Sequence, residues 1–387
     1  MRLISRGVCG ATLILAAGGA AAQSSVTLYG VADTFVQYLS NGGTHSYSVR
    51  SGGSTGSLFG LKGTEDLGNG LKAVFDVENG YNINNGAFFA DSTAMFYRQS
   101  WVGIKHDTYG SLTFGRQYQP SFWAVYFTDP FRGNEVMSPL AAADLASATD
   151  RSTLATQYVS GRTSNSIVYQ SPDLKGVHLF AMYALPATVT QPVPVRSGAM
   201  LDLAANYSGY GFYAGLGYQY QHGAQETAPL VASAPGLLTT FDLMGTEHFT
   251  GALAYRVGIV NFQFNYSYNR PKDTPPGAVV VITPTVQVPL ASLVHSSSIM
   301  ELGATIQATP EDVIEIAGVE RDVRGVHDNT LGIEVGVDHS LSKRTSLYMR
   351  AGYLKNNGTA NMSWPGVTAV ASGSKQILAA LGMTHRF

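Results

Sequence analysis

Between Val260 and Asn269 the chain alternates without exception. Val260, Phe262, Phe264, Tyr266 and Tyr268 fall on one face of an extended strand, and Asn261, Gln263, Asn265, Ser267 and Asn269 on the other. The same period recurs in Leu201, Leu203, Ala205 and Tyr207 against Asp202 and Asn206, and in Met300, Leu302, Ala304 and Ile306 against Glu301, Thr305 and Gln307. It recurs again in Leu331, Ile333, Val335 and Val337 against Glu334 and Asp338. Any one of these strands could face the core of a soluble sandwich. The whole set decides otherwise. Sixteen strand candidates begin near positions 26, 57, 70, 95, 110, 164, 176, 198, 210, 248, 259, 297, 311, 329, 343 and 374.

The connections between them alternate in length. Short ones fall at Asp66 to Asn69, Asp107 to Tyr109, Pro172 to Lys175, Ser208-Gly209, Val257-Gly258, Thr309-Pro310 and Leu341-Ser342, all rich in turn formers. Long ones fall at about 40 to 56, 80 to 94, 119 to 163, 185 to 197, 222 to 247, 270 to 296, 322 to 328 and 357 to 373. Short turns at one rim and long loops at the other predict an all-β fold, a 16-stranded antiparallel transmembrane β-barrel with lipid outside and water within. Closure pairs every backbone N–H and C=O, which a bilayer demands. Sixteen strands leave an aqueous channel where eight would be plugged by side chains.

Composition excludes the main alternatives. Only 13% of the 387 residues are charged, about half the roughly 25% of an ordinary soluble domain. Beyond the first twenty-odd positions no run of about 18 apolar residues exists to cross a bilayer as a helix. Aromatic and β-branched residues continue along the whole chain, against disorder. With 24 basic and 26 acidic residues there is no basic footprint for nucleic acid. Residues 1–22 carry Arg2 and Arg6, the apolar stretch Ala11 to Ala17 and the small residues Ala20-Ala21-Ala22, the three-part pattern of a secretory signal peptide. Its removal would take away Cys9, the only cysteine, and leave residues 23–387 as one barrel domain.

Chemistry is poorly represented. No two of the nine histidines have the spacing of a zinc site, and no cofactor or metal is expected. Gly52-Gly53 and Gly68-Asn69-Gly70 lack the Lys-Ser/Thr of a phosphate loop and read as turns. A barrel hydrolase would need a Ser or Asp with a His at one rim. His106, His222, His327 and His339 are the residues available, and scattered loop histidines are usually solvated. A surface of long loops serving adhesion is the other alternative.

Several stretches carry a resemblance: Ser25-Val-Thr-Leu-Tyr-Gly30, Phe59-Gly-Leu-Lys-Gly-Thr-Glu-Asp-Leu-Gly-Asn-Gly-Leu-Lys-Ala73, Arg98-Gln-Ser-Trp-Val-Gly103, Phe114-Gly-Arg-Gln-Tyr118, Asn165-Ser-Ile-Val-Tyr-Gln-Ser-Pro172, Leu341-Ser-Lys-Arg-Thr-Ser-Leu-Tyr348 and Gly382-Met-Thr-His-Arg-Phe387. In these the sequence resembles the trimeric general porins of Gram-negative outer membranes, especially their β-proteobacterial branch. The resemblance implies an exported outer-membrane channel for passive diffusion of ions and small hydrophilic solutes. It implies a homotrimer surrounded by outer-membrane lipid and lipopolysaccharide, and a terminal Phe387 read by the barrel-assembly machinery. It also implies a third long loop, here 119 to 163, folded into the pore. On that loop Asp129, Glu135, Asp144 and Asp150 are candidates for the acidic side of a constriction. Facing it, Arg98, Arg116 and Arg162, with Lys62 nearby, carry over as the basic wall, a transverse arrangement that filters hydrated solutes. The chain departs from the family at Leu58, where Arg is usual. Arg98 also shares parity with Ser100, Val102 and Ile104, so its inward orientation rests on the resemblance and not on periodicity.

Overall fold

In the computed structural model the described residues are 25–89, 94–133, 138, 161–186, 198–229, 238–273, 279–283, 286–289, 295–326, 328–364 and 371–387. The signal peptide expected at 1–22 lies outside them. The strands are β1 (Ser25–Asn41), β2 (Thr44–Ser51), β3 (Leu58–Gly68), β4 (Leu71–Gly80), β5 (Gln99–His106), β6 (Gly110–Tyr118), β7 (Arg162–Gln170), β8 (Val177–Ala184), β9 (Met200–Gly209) and β10 (Phe212–Gln221). They continue with β11 (Ala224–Pro229), β12 (Leu238–Leu243), β13 (Gly245–Val257), β14 (Val260–Lys272), β15 (Val279–Thr283), β16 (Val286–Pro289), β17 (Ser297–Gln307), β18 (Asp312–Val323), β19 (Asp328–Ser340), β20 (Thr345–Asn356) and β21 (Lys375–Arg386). One helix, α1 (Pro120–Tyr126), follows β6.

Every pairing in the main sheet is antiparallel, and β21 returns to β1 from Val31↔Arg386 to Asn41↔Gln376. The pairs β11–β12 and β15–β16 are separate hairpins within two of the long loops. β2 and β3 occupy successive halves of one stave, both antiparallel to β1, so the seventeen segments of the sheet make the sixteen positions of a closed barrel. Two backbone hydrogen bonds between Gly30 and Phe387 finish the seam, 3.1 and 3.0 Å long. The Phe387 ring lies where a Cβ on residue 30 would stand, so only glycine admits it.

The two faces follow the alternation. Leu253, Phe264 and Leu302 lie side by side across β13, β14 and β17. Leu302 is 66% exposed, while Gln263 and Asn265, turned inward, are 4% and 0% exposed. An unbroken outer apolar band on a sheet whose inner face binds polar groups is the arrangement lipid stabilises.

Three expectations give way. The first long connection does not span 40 to 56: β1 turns at Gly42-Gly43 and β2 pairs with it down to Ser51. The excursion is 52–57, and it folds inward, where the Asp33 carboxylate accepts hydrogen bonds from the N–H groups of Gly53, Ser54 and Thr55 and from the Tyr348 hydroxyl. The turn assigned to Ser208-Gly209 is formed by Tyr210-Gly211, both with positive φ (54° and 75°), which matches the twist of a two-residue hairpin. Finally, the lumen face is not uniformly polar. Phe35 and Leu39 of β1, Leu354 of β20 and Leu378 of β21 form a buried cluster with Phe131 and Trp364, loop residues that enter the barrel.

Candidate permeation site

The segment after β6 crosses the interior along a path set by the wall. Ser121 donates from its N–H and its hydroxyl to Asp202 on β9 (2.9 and 2.6 Å), and the Tyr213 hydroxyl on β10 donates to the Ala124 carbonyl at 2.8 Å. Gln263 and Asn265 of β14 donate to the carbonyls of Phe127 and Thr128. A Cβ at Gly215 would stand 2.1 Å from the Ala124 carbonyl oxygen, and one at Gly303 2.5 Å from Pro130. Both wall positions therefore require glycine for the loop to lie this close. Farther along the loop, Phe131 lies under the Arg350 guanidinium, whose carbon is 5.7 Å from the ring centre.

On the opposite wall stand the basic residues. Arg98 precedes β5, outside the ladder, which lets a residue of lipid-facing parity turn inward. Its Nε donates to Glu78 Oε1 at 2.5 Å, and its Nη2 donates to the Tyr118 hydroxyl at 3.3 Å. Arg162, at the start of β7, donates to the same hydroxyl and stacks 4.0 Å from the Tyr118 ring centre. Arg116 sits where β7 inserts one extra residue opposite β6. It donates to the Tyr97 carbonyl and, at 3.0 Å, to Ser164 Oγ. Lys62 is exposed on the lumen face of β3, its Nζ 5.0 Å from the ring centre of Tyr29. Tyr29 in turn donates to Asp76 and Glu78, at 2.7 and 3.2 Å. Leu58 lies buried on the same face of β3 as Lys62.

Arg98 and Arg162 are thus brought together on Tyr118, with Arg116 bonded to the residue beside Arg98 and Lys62 standing apart. Asp129 is on the inward loop but is fully buried. Its carboxylate accepts from the N–H groups of Phe131 (2.7 Å) and Gly133 (2.8 Å) and from the Ser138 hydroxyl (2.5 Å). Burial pushes that carboxyl above its usual range. Asp129 therefore braces the loop and does not present its charge to the lumen. Glu135, Asp144 and Asp150 lie outside the described residues.

Sequence reasoning missed the partners of these cations. Asp76 and Glu78 share parity with Lys72 and alternate with Ala73, Phe75 and Val77 on β4, so alternation alone could have put them in the lumen. It also missed the row of aromatic rings carried by α1. Among the described residues no cluster of three or more His, Cys, Asp or Glu side chains is arranged to hold a metal ion.

A sealed sheet with an apolar outer band, a polar interior and an inward loop opposite a cationic wall defines an outer-membrane β-barrel channel. The chain belongs to the Gram-negative porin family, whose model matches residues 10–359. It is 28% identical over 391 residues to outer membrane porin protein 32 of Delftia acidovorans, covering 97% of this chain and 98% of that one. It is 34% identical over 188 residues to an outer membrane porin of Bordetella pertussis, covering 44% of this chain and 45% of the relative. Among solved structures, the anion-selective porin from Comamonas acidovorans superposes with a TM-score of 0.76 at 24% identity, over 94% of this chain and 100% of that one, a likeness of fold. The protein is an outer-membrane porin, a water-filled channel for passive diffusion.

Proposed function

We propose that the channel works as a homotrimer whose eyelet lies between the inward loop and the cluster around Tyr118, with a modest preference for anions. The observation that carries this reading is the convergence of Arg98 and Arg162 on one hydroxyl, at the point where the loop leaves the wall. Arg116 and Lys62 extend the cationic side, and Glu135, Asp144 and Asp150 supply the acidic side from the loop. The preference is modest because Glu78 neutralises Arg98 and because Leu58 stands where the family resemblance implies an Arg. The name of the Comamonas structure, an anion-selective porin, agrees in sign. Phe387, seated at the seam, serves as the signal for the barrel-assembly machinery, and lipid and lipopolysaccharide cover the outer band.

The test is the reversal potential of the reconstituted protein in a tenfold KCl gradient. Wild type should favour chloride, and replacing Arg98, Arg116 and Arg162 together by Gln should bring the potential toward zero. An unchanged potential in a variant that still conducts would remove these residues from the eyelet. Heat-modifiable migration as a trimer in SDS is expected, and a monomer at all temperatures would contradict the assembly.

A further inference from the structure

Helix α1 is inside out. Its small residues Ser121, Ala124 and Val125 are buried against the wall, while Phe122, Trp123 and Tyr126 are only partly covered. A helix that docked only to hold a loop in place would bury its large rings, because each hides far more apolar area than Ser or Ala. Here the rings form a continuous row. Tyr118 stacks on Phe122 at 5.1 Å, Phe122 meets Trp123 at 5.6 Å and Trp123 meets Tyr126 at 5.2 Å. Tyr126 meets Phe127 at 5.5 Å, and Phe127 meets Tyr213 of the wall at 5.8 Å. Phe127 is 52% exposed. Keeping so much aromatic surface in contact with water costs stability unless something stacks on it.

Toward the short-turn rim the row opens onto a cavity of about 770 Å³, bounded by Trp123, Phe127, Phe180 and Tyr213, a size typical of sites for small organic ligands. Its polar lining includes Arg256 and His178 and no carboxylate. Arg256 shares the inward parity of Ala252 and Ala254 on β13, so its charge faces the cavity. Flat aromatic walls attract a flat apolar body, and a cation with no opposing acid attracts an anion.

We propose that this cavity is a binding site for small aromatic carboxylates in transit, with the ring stacked between Trp123 and Phe180 and the carboxylate held by Arg256. The inference rests on the channel reading and adds a substrate class to it.

Benzoate is the probe. In planar bilayers bathed in KCl, benzoate should interrupt the chloride current of single channels in a saturable manner, and acetate at the same concentration should not. Arg256→Gln and Trp123→Ala should each raise the half-effective benzoate concentration about tenfold, read against each variant's own chloride current. Phe180→Ala, on the wall and outside the loop, should do the same, so a displaced helix in the Trp123 variant cannot imitate the result. Cyclohexanecarboxylate, equally anionic but not flat, should act more weakly than benzoate. Equal effects of benzoate and acetate in wild type, or an unchanged benzoate response in both Arg256→Gln and Phe180→Ala, would overturn the assignment while the chloride current still showed a channel. Absence of any current would instead fail the channel reading.

Discussion

Glu78→Gln should make the channel more selective for anions, although it alters no cation. Arg98 and Glu78 form a pair at 2.5 Å with side chains only 12% and 8% exposed, so at present they face a passing ion as a short dipole of no net charge. Removing the carboxylate leaves one positive charge on the wall. At about 8 Å from an ion, that charge contributes about 0.5 kcal/mol in bulk water and about 2 kcal/mol at an effective dielectric of about 20. Screening at about 0.1 M salt roughly halves either figure. Because the charge attracts chloride and repels potassium by the same amount, the difference between the two ions is twice that figure, and the chloride-to-potassium permeability ratio should rise by a factor of about 2 to 30. Loss of one partner from a buried pair costs about 3 to 5 kcal/mol. Here the cost is reduced because Tyr118 still accepts from Arg98 and Tyr29 still has Asp76. The assay is the zero-current potential in a salt gradient, run beside Arg98→Gln and the double variant. Arg98→Gln should lower the ratio, because it leaves Glu78 uncompensated, and the double variant should return close to wild type. A ratio unchanged or lowered by Glu78→Gln would refute the reasoning.

Gly215→Leu places a side chain where the Ala124 carbonyl now lies and should push the inward loop off the wall, changing single-channel conductance while the barrel still forms; unchanged conductance would show that the loop does not follow this path. Phe264→Arg should cost about 2 to 4 kcal/mol if the site meets lipid at the membrane midplane, measured as a lower temperature of heat modification. In the same strand, Asn261→Cys, which lines the lumen cavity, should react with water-borne thiol reagents and the outward Phe262→Cys should not; the reverse pattern would place the register one residue off.

The strands were legible because lipid and water impose opposite requirements on alternate residues, and β14 from Val260 to Asn269 and β17 from Met300 to Gln307 record this. The inward course of the third loop was legible only through resemblance. The wall glycines at 215 and 303 look like ordinary small residues until the loop is laid against them. β2 escaped notice because its outward face carries only two large apolar residues, Tyr47 and Val49, too few to establish a period. The inward turn of Arg98 could not come from parity, since it depends on the strand starting one residue later. Trp364 and Phe131 read as loop residues, and only packing shows that they fill the lumen side of β1, β20 and β21. Asp129 shows the limit of charge as a signal: an acidic residue on the right loop is spent on bracing it.

The central claim is an open aqueous pore through the barrel, and single-channel recording of the purified protein in a planar bilayer tests it most directly. The account predicts long-lived current steps with a linear current–voltage relation at low voltage and a conductance that rises with salt concentration, as for ions moving through water. A bilayer that stays silent with correctly folded, heat-modifiable protein inserted, or steps that saturate at low salt, would contradict it.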